Sequence, residues 1–234
     1  MGINRHCNLL LNIILISLLL LVTSCGKPKG DPNISSLGGS PFSSIGQPVR
    51  WSSSTLAAPL DLGITQAFID DIPTAQNDEF GDDLFEQSMK EWDGAMSTIN
   101  FFKIPATILA NKSYSTLGQY RDSELGIYKS FDWFPTVPSG ALAITQFFGI
   151  RINPGTSDEY LELTHADIIV NYRDFTYSYD PGNINQYDLA SVVLHELGHF
   201  LGLGHQTDSQ VNSVMQPYIS TFESNRIPFG ADQN

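Results

Sequence analysis

The run His195-Glu196-Leu197-Gly198-His199, followed by Gly202 and His205, holds the residues best suited to chemistry. Two histidines four apart share one face of a helix, so both imidazoles can reach a single ion. Glu196 sits about 100° around the helix from His195, where it can flank that ion without binding it and address a metal-held water. His205 cannot reach the same ion from a helix that simply continues, so the chain has to turn back after His199. Gly202 permits the left-handed backbone that such a turn needs. Three histidines leave one position of a tetrahedral zinc open to water, the pattern of a catalytic rather than a structural site. Zinc is favoured over iron or copper because the ligands are imidazoles and the implied chemistry is hydrolysis; iron's facial triad would need a carboxylate ligand. The reading assigns His195, His199 and His205 to the metal and Glu196 to the role of general base. Cysteine catalysis is excluded, because Cys7 and Cys25 both lie near the N-terminus. They leave neither a thiolate nor a disulfide framework to the folded part.

The elements that must position these residues are legible in outline. Leu189, Val192, Val193, Leu197, Phe200 and Leu201 line much of a helix over 188–201, so that helix should be buried. Asp188 is well placed as its N-cap, and Gly202 lies just past its end. A second helix is expected over Asp83–Met96, where Phe85, Met89, Trp92 and Met96 recur at helical spacing. Its stripe reads as core packing, and Asp83 with Glu86 resembles a capping box. Apolar, β-rich runs at Ile99–Phe102, Thr107–Ala110, Leu142–Phe148 and Asp167–Tyr172 are separated by turn-forming residues. Strands framed by an early and a later helix predict an α/β or α+β layer arrangement. With no repeat and no second linker visible, one domain is expected from 49 to 234.

Shortly after His205 comes Ser213-Val214-Met215-Gln216-Pro217. With the extended histidine motif it resembles the metzincin metallopeptidases, in which such a Met-turn places a methionine beneath the three histidines without ligating zinc. The resemblance gives Met215 that role. It is nearest to the matrixins: the helix with Trp92, the stretch 141–149, His165-Ala166-Asp167-Ile168-Ile169-Val170-Asn171 and the zinc helix follow the family's order. It implies a metzincin-like zincin domain with a twisted, mostly parallel sheet, an antiparallel edge strand, a zinc-binding helix and the Met-turn. It also implies that a strand over about 141–148 rims the cleft and pairs with an extended peptide; an ordinary buried strand is an equal reading of those residues. Several features depart from the family. No cysteine switch is present, and His165 alone cannot build a second zinc site, so it reads as a hydrogen-bonded structural residue, with a substrate-side role the lesser option. Pro217 stands where some metzincins have a tyrosine ligand, and Tyr218 is given no role. The family's C-terminal helix is expected to be short, irregular or missing. The polar loop Asp180–Asn185 is a weak calcium candidate whose spacing matches no defined calcium loop.

The N-terminus carries a different message. Arg5 and the apolar run Leu9–Val22 suit a signal peptide better than a membrane span, which needs about 20 apolar residues. Leu21-Val22-Thr23-Ser24-Cys25 resembles the lipobox of bacterial lipoproteins, with Val22 where leucine is commoner. It implies cleavage after residue 24 and a lipid on Cys25; the alternative is an ordinary secretory signal with a coincidental cysteine. Residues 25–48 then form a Gly, Ser and Pro-rich flexible linker, whose twenty-odd residues give a reach of roughly 25 Å. Exported, lipid-anchored display follows, on the outer membrane or cell surface where two membranes exist. The formal net charge of -13, with only 12 Lys and Arg, excludes nucleic acid as a natural partner. The expected partners are a peptide or protein substrate and, through the lipid, a membrane, with the chain a monomer. A catalytically inactive zinc- or partner-binding lipoprotein on a protease fold is the rival reading. It is disfavoured because every catalytic position is filled, the glutamate included.

Overall fold

The computed structural model describes residues 21–22, 34–36, 48–73, 77–78, 81–96, 100–181 and 183–233. The h-region of the leader, apart from Leu21 and Val22, lies outside them, as do Cys25 and most of the linker. In chain order the elements are β1 (Leu21–Val22), β2 (Ile34–Ser36), β3 (Val49–Trp51), β4 (Leu62–Thr65), α1 (Gln66–Ile69), α2 (Leu84–Ala95), β5 (Ile108–Leu109) and β6 (Leu125–Ser130). They continue with β7 (Ala143–Ile152), β8 (Tyr160–Asn171), β9 (Tyr177–Ser178), β10 (Tyr187–Asp188), α3 (Leu189–Leu201) and β11 (Tyr218–Ser220).

The main sheet runs in the order β1-β7-β8-β6-β4-β5, with β3 also pairing β8. β3, β4, β5, β6 and β8 are mutually parallel where they pair, whereas β7 is antiparallel to β8. The fold is therefore the α/β arrangement expected, mostly parallel with an antiparallel strand toward one edge. Beyond β7, among the described residues, only the two residues of β1 are paired, Leu21 opposite Phe147 and Val22 opposite Gln146. A smaller pairing joins β2 to β11, also antiparallel.

The strands were less readable than the helices, for physical reasons. β8 starts at Tyr160, seven residues before the expected Asp167, because Glu162 and Thr164 interrupt the apolar run. Its first half alternates between buried and more exposed residues, and its second half is buried throughout. β7 likewise extends past Phe148 to Ile152. Of the expected strand at Ile99–Phe102, Ile99 lies outside the described residues, and among the rest Phe102 makes an isolated bridge to Leu60. β4 and β6 were not anticipated, because each holds a glycine that reads as a breaker. Gly63 and Gly126 face each other across the β4–β6 pair. A Cβ on either would lie within 2.6 Å of Leu109 or 2.4 Å of the Tyr128 ring, so close packing explains both.

Both helices match their expected positions closely. Asp83 caps α2 by accepting from Phe85 N and Glu86 N. The reciprocal half of a capping box is not made; Glu86 accepts instead from Ala106 N at 2.9 Å and ties the helix to the following loop. Leu84, Phe85, Met89 and Trp92 are buried, as a core stripe should be. α3 is buried from Leu189 through Phe200 and packs on β7, β8 and α2. Its cap, Asp188, accepts from Ser191 N at 3.1 Å and is held by Arg226. Trp92 Nε1 donates to Leu194 O at 2.8 Å, and Trp51 Nε1 to Phe200 O at the same distance. Two tryptophans therefore hold α3, one at its middle and one at its last turn. After β11 the described chain contains only a short 3-10 turn, Gly230–Gln233, where the family's closing helix would stand. No helix among the described residues is long and apolar enough to cross a membrane.

Candidate metal centre

His195 and His199 project from α3 one turn apart and are fully buried. Gly202 caps the helix with φ 104°, a left-handed conformation, and a Cβ there would come within 2.3 Å of Val49 O. Conformation and space both demand glycine. The turn does two things. It sends Leu203 N–H back to Gly198 O at 2.9 Å and presents Leu203 O to His199 Nδ1 at 2.8 Å. It also returns the chain so that His205 joins the other two. The three Nε2 atoms lie 3.0, 3.2 and 3.2 Å apart.

His195 Nδ1 sits 2.7 Å from Val214 O, so both helix histidines give their Nδ1 proton to a carbonyl. Their Nε2 atoms are then lone pairs pointing at one spot. Nitrogens in that state cannot bond to one another and repel unless a cation lies between them. Burial, followed by the neighbouring His205, pushes the His199 pKa down to about 3, so that ring is neutral near pH 7. Tetrahedral zinc with bonds of about 2.0–2.1 Å sets its ligand nitrogens about 3.3 Å apart, close to the spacing found here. Among the described residues this is the one cluster of His, Cys, Asp or Glu able to hold a metal. The donor set fits zinc.

Glu196 is fully buried beside the triad's helix face. Thr145 on β7 places its hydroxyl 2.6 Å from Oε2 and 2.9 Å from Glu196 O. The other oxygen, Oε1, is buried without a hydrogen-bond partner. Burial pushes the carboxyl up to about 8, with the Thr145 bond pulling the other way. Met215 is also buried, and a Cβ on Gly198 would lie 2.3 Å from its Sδ and 2.9 Å from Trp92. The sulfur therefore packs directly under the helix segment between His195 and His199. Gln206 N donates to Met215 O at 2.9 Å, tying the turn to the strand of chain that carries His205.

Sequence reading had missed Thr145, Gly198, Ser213 and Asp232. Gly198 left a trace, since a glycine inside a helix costs roughly 1 kcal/mol relative to alanine and calls for a packing reason. Thr145 left none, because a threonine in a β-rich run reads as filler. Ser213 was quoted only as part of the Met-turn, and Asp232 lies in no periodic pattern. His165 pairs with Asp167 at 2.7 Å and packs on Phe148. That pair sits on the sheet face opposite Thr145, since Asp167 is across from Gln146 in the register. In the loop proposed for calcium, Asp180 turns on Ser178 and Asn183 bonds Gln186. No acidic cluster able to hold a metal is found there among the described residues. Tyr218 is half exposed at the start of β11.

No curated protein matches the chain. The sequence model of the family described as matrixin matches residues 64–233, which spans α1, α2 and α3, β5 through β11, the three histidines and the Met-turn. A match over well more than half of the 234 residues leaves one assignment: the chain belongs to the matrixin family of zinc-dependent metallopeptidases.

Proposed function

We propose that this chain is an endopeptidase that is exported and held at a bacterial membrane by a lipid on Cys25. The observation that carries the catalytic part is the pairing of three converging imidazole Nε2 atoms with a buried glutamate oxygen left without a partner. Zinc held by the triad would lower the pKa of a coordinated water to about 7 and polarise the scissile carbonyl. Glu196 takes the water's proton at Oε1 and returns it to the departing amide nitrogen. Thr145 holds Oε2, so the carboxylate keeps one orientation through both transfers. Met215 supports the histidine base from below. An extended substrate lies along the outer edge of β7 as an added antiparallel strand; β1 occupies that edge in the same sense. The direct test uses Glu196→Gln in the zinc-loaded protein with unfolded casein or a peptide library. Chelator-sensitive cleavage in the wild type, absent from a variant that still binds zinc, is the expected result. Undiminished cleavage in the variant overturns the assignment of the base.

The tether rests on sequence: an apolar run ending in Leu21-Val22-Thr23-Ser24-Cys25 and the Gly, Ser and Pro-rich stretch that follows. Labelled fatty acid supplied to a bacterial host should enter the wild type and not Cys25→Ser. Equal labelling of both would rule out this anchor.

A further inference from the structure

We infer that Ser213 and Asp232 form a hydrogen-bond relay that orients His195 and strengthens it as a metal ligand, acting through the peptide group between Val214 and Met215. The inference rests on the zinc reading of the histidine triad and adds positioning residues to it. Asp232 lies in the short turn Gly230–Gln233 and its side chain is buried. One oxygen, Oδ1, accepts the Ser213 hydroxyl; the other, Oδ2, accepts Val214 N at 3.0 Å and Phe229 N at 2.8 Å. With its proton given to the carboxylate, Ser213 Oγ accepts Met215 N–H at 2.9 Å. Met215 N and Val214 O are the two ends of one peptide unit. That unit's oxygen faces His195 Nδ1 at 2.7 Å.

Every donor along this path points toward the carboxylate. The negative charge makes Ser213 Oγ a better acceptor, which draws on the Met215 N–H and makes Val214 O more electron-rich. Val214 O in turn holds the His195 Nδ1 proton more strongly. Hydrogen bonds aligned in one sense inside a protein reinforce one another. A ring whose Nδ1–H is tightly held presents a more basic Nε2 to the metal, and outer partners of this kind change metal affinity by about 10–100-fold. His199 provides an internal control, since it leans on Leu203 O at 2.8 Å. Among the described residues no carboxylate is bonded to that carbonyl's own peptide.

The rival explanation is that Asp232 merely pins the end of the chain. The full chain, loaded with zinc, separates the two. Zinc affinity is measured by competition with a chelator, and the histidine Nδ1–H resonances are followed by NMR on nitrogen-15-labelled protein. Ser213→Ala and Asp232→Asn should each weaken zinc binding about tenfold. Both should move the His195 Nδ1–H resonance while that of His199 stays in place. The double variant should be no worse than the weaker single one, and Ser213→Thr, which keeps the oxygen, should restore the wild-type values. Zinc affinity within twofold of wild type in both single variants overturns the relay. So does a shift of the His195 and His199 resonances together, in step with a lowered melting temperature. Wild-type chain that binds no zinc would overturn the metal site itself, and that result is visible before any variant is made. A wild type that binds zinc but cleaves no peptide bears on the proposed activity and leaves the relay test intact.

Discussion

Glu196, the proposed base, presents two unlike oxygens. Oε2 is held by Thr145, whereas Oε1 is buried and unpaired. In the metal-free protein, burial lifts the carboxyl to about 8, above its ordinary value of 4.5. A raised folded-state pKa favours the fold at low pH and loses that contribution as pH rises toward the folded value. The metal-free domain should therefore lose stability relative to Glu196→Gln between about pH 5 and 8, by on the order of 1 kcal/mol per pH unit. Parallel urea titrations at several pH values would check this, and curves with no pH-dependent gap between the two proteins would refute it. Zinc should shrink the gap, because a nearby cation favours the charged carboxylate. Thr145→Val removes a hydrogen bond to a buried carboxylate and should destabilise by about 1.5–3 kcal/mol. Turnover should fall while zinc content stays at one per chain, and Thr145→Ser should recover both. At this scale the sequence exposed the three histidines that converge and the glutamate beside them, because their spacing is set by helix geometry and one turn. It hid Thr145, which reaches Glu196 across 51 positions.

The zinc helix could be read almost residue for residue, since a buried helix with a capping aspartate and a terminating glycine leaves a continuous signal. β4, β6 and the first half of β8 could not be read in this way. Their glycines and polar residues answer to neighbours on other strands, and a strand has no local signal for that. Close approach between elements is likewise a property of pairs, and Gly198 is its clearest case. The glycine lets Met215 and Trp92 meet under α3. Gly198→Ala should improve intrinsic helix propensity by roughly 1 kcal/mol. It should nonetheless destabilise the protein, because overpacking of this kind costs about 1–3 kcal/mol and the methionine sulfur would have to move. Loss of zinc affinity should accompany the lower melting temperature, since the displaced turn also carries Val214 O. A variant more stable than wild type, with unchanged zinc binding, would show that the turn packs elsewhere.

Across the whole molecule, segments from both ends of the folded chain converge on α3. At the C-terminal side Asp232 holds the Met-turn, and Arg226 bonds the cap Asp188. From the N-terminal side β3 brings Trp51 to Phe200 O and lays Val49 O against Gly202. The expected tether stops where this strand begins, and the proposed boundary near residue 48 therefore lies just ahead of chain that packs against α3. Removing residues 1–47 deletes β1 and β2, whose pairings comprise two and three residues. That deletion should leave the melting temperature and zinc binding nearly unchanged. Removing residues 1–52 also deletes Val49 and Trp51, both buried. Loss of a buried tryptophan alone costs about 3–5 kcal/mol, and the vacated space lies beside the glycine that turns the chain toward His205. The shorter protein should melt at a markedly lower temperature and bind zinc more weakly than its 48–234 counterpart. Equal thermal stability and zinc affinity in the two truncations would mean that β3 does not support the site, and that the tether extends further into the chain than residue 48.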